Sequence, residues 1–218
     1  MTLRKGTFIT FEGIDGAGKT TQVQMLADRI RETYRRDDIL MTREPGSGLL
    51  GKELRRLILH PPQGTVMDDR AELLILLADR AQHVTNEIKP HLDKGGIVIC
   101  DRYADSSIAY QGYGRGIPAL EVKRLNMFAT AGLWPDTTIL LDIDPEVSLT
   151  RKNDQTRMEA ESRRFHRSVR DGFLTLAMEQ PSRFLIVHAD QPEQAVHRTI
   201  WERLSPRLGI LHSVRAAV

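Results

Sequence analysis

The sequence predicts an α/β protein in which helices cover both faces of a parallel β-sheet. Three observations predict it. Short β-favouring apolar stretches alternate with longer stretches of helical spacing along the whole chain. Residues 97–100 (Ile-Val-Ile-Cys) are apolar on consecutive positions, the pattern of a strand buried on both faces. A glycine-rich turn joins the first strand to the first helix at residues 13–18.

Each element follows from its own residues. Residues 7–11 (Thr-Phe-Ile-Thr-Phe) are apolar and β-favouring. Residues 19 to about 34 read as a helix, because Val23, Leu26, Ala27 and Ile30 share one face. Residues 39–41 form a second strand, closed by the turn residues Pro45, Gly46, Ser47 and Gly48. Residues 49–59 are helical and stop before Pro61 and Pro62. A long helix is expected over 68 to about 93, closed by Gly95 and Gly96. Residues 97–100 are the third strand, 118 to about 131 a helix, and 138–141 the fourth strand. Pro145 opens a helix at its first turn, where proline is tolerated. Residues 153–157 are polar and read as mobile; a helix then runs to about 180. Residues 183–187 are the fifth strand, and Pro192 opens the last helix.

Composition narrows the function. A chain of 218 residues with 40% hydrophobic and 28% charged residues suits one domain, taken as residues 1–218. Thirty-one basic residues against 29 acidic leave a net charge of +2, which argues for neither a nucleic-acid nor a membrane partner. The single cysteine, Cys100, excludes an internal disulfide framework and a cysteine-built zinc site, and points to the cytoplasm. The longest apolar run, residues 73–78, is far below the roughly 18 residues of a membrane span. The basic residues near Met1 have no apolar stretch of signal length behind them.

Gly13-Ile-Asp-Gly-Ala-Gly-Lys-Thr20 fits the phosphate-binding pattern G-x-x-x-x-G-K-[ST], directly after a strand and before a helix. Gly13, Ile14, Asp15, Gly16, Ala17 and Gly18 would turn backbone N–H groups toward phosphate oxygens. The helix starting with Lys19, Thr20 and Thr21 would add its N-terminal dipole. Lys19 would reach the outer phosphates of ATP and Thr20 would offer its hydroxyl to Mg²⁺. A strand-terminal carboxylate should stand near that metal; Asp101 and Asp142 both qualify. No asparagine is followed by lysine, so the guanine-reading N-K-x-D of a switch GTPase is absent, as is an LSGGQ-like transporter signature. A small phosphotransferase acting on a metabolite remains.

Phe11-Glu-Gly-Ile-Asp-Gly-Ala-Gly-Lys-Thr-Thr-Gln22, Thr42-Arg-Glu-Pro-Gly46, Asp101-Arg-Tyr103 and Ala109-Tyr-Gln-Gly112 resemble, in order and spacing, the signatures of thymidylate kinases. The likeness runs from about Thr7 to the final helix. It implies a P-loop NTPase fold like the nucleoside monophosphate kinases, with a five-stranded parallel sheet, and transfer of the ATP γ-phosphoryl group to dTMP with Mg²⁺. By the same resemblance Arg102 grips the acceptor phosphate, and Asp101 rather than Asp142 holds Mg²⁺ through water. Asp15 meets the sugar 3′-hydroxyl or a metal-bound water, and Arg80 reads a thymine carbonyl. Ser107 and Tyr110 contact the nucleoside, with Tyr110 disfavouring a 2′-hydroxyl; Arg43 and Pro45 border the acceptor. The P-loop itself holds no arginine, and Arg151 to Glu159 resembles the mobile lid that supplies the catalytic cation in one group of thymidylate kinases; the resemblance implies a lid over about 150–160, with Arg157 the first candidate and Arg151 the second. Two positions depart from the family pattern: Ser47 stands in place of a glycine, and Leu76 in place of an aromatic that stacks on thymine. The apolar run 73–78 in the 68–93 helix region suggests a subunit interface, and the resemblance implies a homodimer.

Overall fold

The computed structural model describes residues 6–151, 157–158 and 160–208. Its strands are β1 (Thr7–Glu12), β2 (Ile39–Arg43), β3 (Ile97–Asp101), β4 (Thr137–Asp142) and β5 (Phe184–His188). They pair in parallel in the order β2-β3-β1-β4-β5. The central strand β1 therefore ends between its neighbours, with Phe11 level with Asp101 on one side and Ile139 on the other. In an open parallel sheet this carboxyl edge is where ligands bind.

Successive side chains of β1 divide between two cores, as the pleat requires. Phe8 packs with Val98, Cys100, Tyr103 and Leu92 on one face. Ile9 and Phe11 pack with Leu26, Ile30 and Ile99 on the other. All six residues of β4 are buried, whereas in the edge strand β2 Ile39 is buried and half-buried and exposed positions alternate after it.

The helices are α1 (Lys19–Tyr34), α2 (Gly48–Leu59), α3 (Asp69–His83), α4 (Lys89–Asp93), α5 (Ala104–Ser107), α6 (Ala119–Ala129), α7 (Pro145–Leu149), α8 (Arg163–Glu179) and α9 (Glu193–Leu208). The helix expected over 68–93 is interrupted: a π-helical turn, Val84–Ile88, separates α3 from α4. Pro90 in α4 has no N–H to donate into the preceding turn, so a regular ladder cannot be continuous there. A second π-helical stretch, Ile108–Gly114, extends α5. This element has no counterpart in the sequence pattern. It is rich in serine and glycine, both poor helix formers, and residues 104–112 are buried on every side, so no amphipathic period marks it. The candidate lid falls largely on residues 152–156 and 159, which lie outside the described residues.

Candidate active site

The phosphate loop leaves β1 through Gly13, at φ 134°; a Cβ there would sit 2.4 Å from the Leu141 carbonyl oxygen. No side chain fits between the loop and β4. Gly18 enters α1 with φ 87°, a conformation that favours glycine. On the far side of the loop, Ser148 of α7 donates to the Asp15 carbonyl. Lys19 is buried, and its Nζ donates to the carbonyls of Gly13 (3.1 Å) and Ile14 (2.8 Å). Burial, and then the Arg102 charge, bring the Lys19 pKa down to about 8.

The two candidate carboxylates part company here. Thr20 Oγ1 donates to Asp101 Oδ2 at 2.7 Å. Asp142 is instead gripped by the α8 residue Arg170, through Nε at 2.7 Å and Nη2 at 3.0 Å. Among the described residues, no three His, Cys, Asp or Glu side chains cluster as a metal cage. Thr20 and Asp101 offer only hard oxygens, the donor set that suits Mg²⁺ completed by phosphate and water.

A cleft of about 520 Å³ runs from this loop across the carboxyl edge. Arg102 stands at its centre with φ 70°, unusual for a residue other than glycine. Its Nη1 donates to the Gly13 carbonyl (2.8 Å) and Ser106 Oγ (3.1 Å). Its Nη2 donates to Asp15 Oδ1 (2.8 Å) and Tyr110 Oη (3.2 Å), and the guanidinium lies 5.1 Å from the Tyr110 ring centroid. Tyr110 in turn donates to Asp15 Oδ2 at 3.1 Å. Burial opposes the Arg102 charge, but Tyr110, Asp15 and Asp101 outweigh it and hold its pKa up. Arg43 and Pro45 line the same cleft. So does Arg55, which the sequence pattern does not single out; within α2 it reads as ordinary helix charge. It donates to the Pro45 carbonyl at 2.8 Å, and burial followed by Arg43 and Arg102 lowers its pKa. Three cations thus converge on one volume.

At the far end Leu76 forms part of the wall. Arg80 also lines the cleft, but most of its donors are engaged. They go to Glu44 (2.7 Å), Ser107 (2.9 Å), Asn126 and the Tyr103 carbonyl (3.0 Å). At most one of its five N–H groups is left to read a base. Glu44 also meets the buried His83 at 2.8 Å.

The two candidate lid arginines point to different places. Arg157 pairs with Glu72 and donates to the Ile58 carbonyl at 3.1 Å. Arg151 donates to the Ala189 carbonyl (3.2 Å) and to Asp190 (3.3 Å), and lines the cleft with Gln22 and Gln191. None of these partners belongs to the phosphate loop. Glu72 is a further cleft residue without a sequence signal; it is buried and also accepts from Gln111 (2.7 Å) and Arg115 (3.3 Å).

A family model described as Thymidylate kinase matches residues 11–200. The thymidylate kinase of Trichormus variabilis is 45% identical over 207 residues, spanning 93% of this chain and 97% of its own length. That of Carboxydothermus hydrogenoformans is 47% identical over 201 residues, spanning 91% and 95%. The crystal structure of thymidylate kinase from Ehrlichia chaffeensis superposes with a TM-score of 0.75 at 37% identity, covering 91% of this chain and 98% of that one.

Proposed function

This chain belongs to the thymidylate kinase family and transfers the γ-phosphoryl group of ATP to dTMP, and we propose that it does so along the one cleft, with ATP at the phosphate loop and dTMP beyond Arg102. The observation that carries this reading is the convergence of Arg43, Arg55 and Arg102 beside the P-loop. Three guanidinium groups in one volume, those of Arg55 and Arg102 half-buried, call for a polyanion.

The acceptor phosphate has a second pKa near 6, so it is already mostly dianionic at neutral pH. The chain therefore needs no general base for it; it needs alignment and charge. Arg102 supplies a planar two-oxygen grip, already fixed by Gly13, Ser106, Asp15 and Tyr110. Lys19 exchanges the carbonyls of Gly13 and Ile14 for the outer phosphates of ATP. Thr20 and Asp101 would hold Mg²⁺, which when bound would neutralise phosphate charge. Asp15 and Tyr110 form the floor under the sugar, where a 2′-hydroxyl would crowd the Tyr110 ring. Leu76, Ser107 and the remaining Arg80 donor enclose the base.

The lid arginines take different roles. Arg151 belongs to the donor-nucleotide end, since it is held at Ala189 and Asp190. Arg157 lies on the acceptor side and is the candidate for the transferred group, reached by releasing Glu72. We assign the active species as a homodimer through the α3 region, acting in the cytoplasm.

ADP release measured with dTMP, dUMP, CMP, AMP and no acceptor tests the reading. It should be fastest with dTMP and near background without an acceptor. ADP release that ignores the acceptor would overturn it.

A further inference from the structure

Glu12, the last residue of β1, is a fully buried carboxyl group outside the cleft wall, and nothing in the transfer reaction uses it. Its Oε1 accepts the backbone N–H of Tyr103 at 2.8 Å, and its Oε2 accepts from Ser106 Oγ. Ser106 Oγ is the oxygen that Arg102 Nη1 reaches at 3.1 Å. The preceding amide, that of Arg102 itself, donates to the Phe11 carbonyl at 2.9 Å. The end of β1 thus holds both amides that flank the α-carbon of Arg102, whose φ is 70°. Such a backbone persists in a residue with a side chain only where its surroundings over-determine it.

We propose that Glu12 is the positioning residue for Arg102: it holds the strained turn after β3 from below and turns the Ser106 hydroxyl so that its oxygen receives the guanidinium. The inference rests on the reading that Arg102 grips the acceptor phosphate. The geometry explains why a carboxylate stands here. Two acceptor oxygens on one side chain serve two donors on different parts of the turn, an amide and a hydroxyl. An amide side chain would serve the first and offer the second a donor instead of an acceptor. The charges that face Glu12 fit such a buried group. Arg102, Lys19 and Arg80 lie around it, and its anionic neighbour Asp105 is itself bound by Arg183 at 2.6 and 2.8 Å. Burial, and then Asp105, push the Glu12 pKa up to about 8 against the pull of Ser106 and Arg102, so the carboxylate with its two acceptor oxygens predominates above that pH.

Glu12→Gln, Ser106→Ala, their double variant and Arg102→Ala should be compared at about pH 9, where Glu12 is ionised, by calorimetry with dTMP, thymidine and ATP, after thermal melting has confirmed folding. Thymidine lacks the phosphate, so it reports the nucleoside pocket without the Arg102 grip. Glu12→Gln should weaken dTMP about tenfold, the scale of one disturbed charge-assisted hydrogen bond. Thymidine and ATP should bind within about twofold of wild type. Ser106→Ala should show the same pattern, and the double variant should lose no more than the larger single loss, because both act along one route. Wild-type dTMP affinity in folded Glu12→Gln, or an equal loss for all three ligands, would overturn the proposal. If Glu12→Gln does not fold, Ser106→Ala carries the test: unchanged dTMP affinity overturns it, and a loss confined to dTMP upholds it. Arg102→Ala separates the two claims. If it leaves dTMP affinity intact, the acceptor-site reading itself fails; if it weakens dTMP while Glu12→Gln does not, only the role of Glu12 fails.

Discussion

The Lys19 ammonium group donates to two carbonyls of its own loop. Its pKa of about 8 lies below the ordinary 10.5. The folded state then binds fewer protons than the unfolded state between these values. Stability from this group alone therefore rises as pH climbs through that window, and the penalty is complete below it. ATP reverses the balance, because phosphate favours the charged amine. At about pH 9 we expect ATP binding to take up a proton, read as a dependence of calorimetric heat on the buffer's ionisation enthalpy. Lys19→Met should abolish that dependence and lower turnover about 10²–10³-fold, as for other donors aimed at developing charge. Leu76 is the other position where one side chain decides an outcome. Stacking of a base on an aromatic ring is worth about 1–3 kcal/mol, and leucine keeps part of this as apolar contact. Leu76→Phe should recover roughly 1 kcal/mol, tightening dTMP about fivefold with ATP unchanged. Unchanged dTMP affinity and stability together would remove Leu76 from the base contact.

Among the elements, α1 shows how much of the fold is legible in the sequence. Val23, Leu26, Ala27 and Ile30 were spaced for one face and are all buried there. β3 and β4 are legible for the opposite reason, since consecutive apolar residues suit strands with two covered faces. The α5 segment and its π-helical extension are not legible, because an element buried all round carries no period. Within it, Ser107 and Tyr110 are singled out only by the family resemblance. Glu12, Arg55 and Glu72 escaped for a different reason: each is a common charge whose role depends on burial and on partners far away in the chain. The Arg157 segment poses the sharpest test at this scale. Arg157 is tied to α3 through Glu72 and to the end of α2 through Ile58. If it leaves those partners to meet the transferring phosphoryl group, Arg157→Ala should lower kcat far more than it raises KM for dTMP, by about 10³-fold or more for an arginine finger. An unchanged kcat would leave Arg157 as a tether between α2, α3 and the segment that carries it.

At the scale of the whole molecule, the run expected to be apolar all round divides into two faces. Leu73 and Leu77 are buried, Leu76 faces the cleft, and Leu74 stands 58% exposed on the outer side of α3. The neighbouring α6 carries Phe128, 88% exposed, and Leu49 projects from α2. Since α3 packs against both α2 and α6, these side chains belong to adjoining helices. Exposed apolar side chains on adjoining helices favour the homodimer surface proposed above over a solvated one. A two-fold interface presents each such residue twice, so one introduced charge is buried twice. Each unpaired buried carboxylate costs several kcal/mol. Leu74→Glu should therefore convert dimer to monomer at micromolar concentration, read by sedimentation or light scattering. The consequence should reach the acceptor site. Arg80 of α3 donates to Asn126 of α6 and to Glu44 and Ser107 within the cleft, so these two surface helices and the base end share one buried network. The phosphate loop hangs from β1, α1 and α7, a step removed from that network, which it meets through Tyr103 and Glu12. Loss of the partner should then weaken dTMP binding more than ATP binding. A wild-type protein that sediments as a monomer would refute the interface. A Leu74→Glu monomer with unaltered dTMP affinity would show instead that the Arg80 network holds its shape without a second subunit.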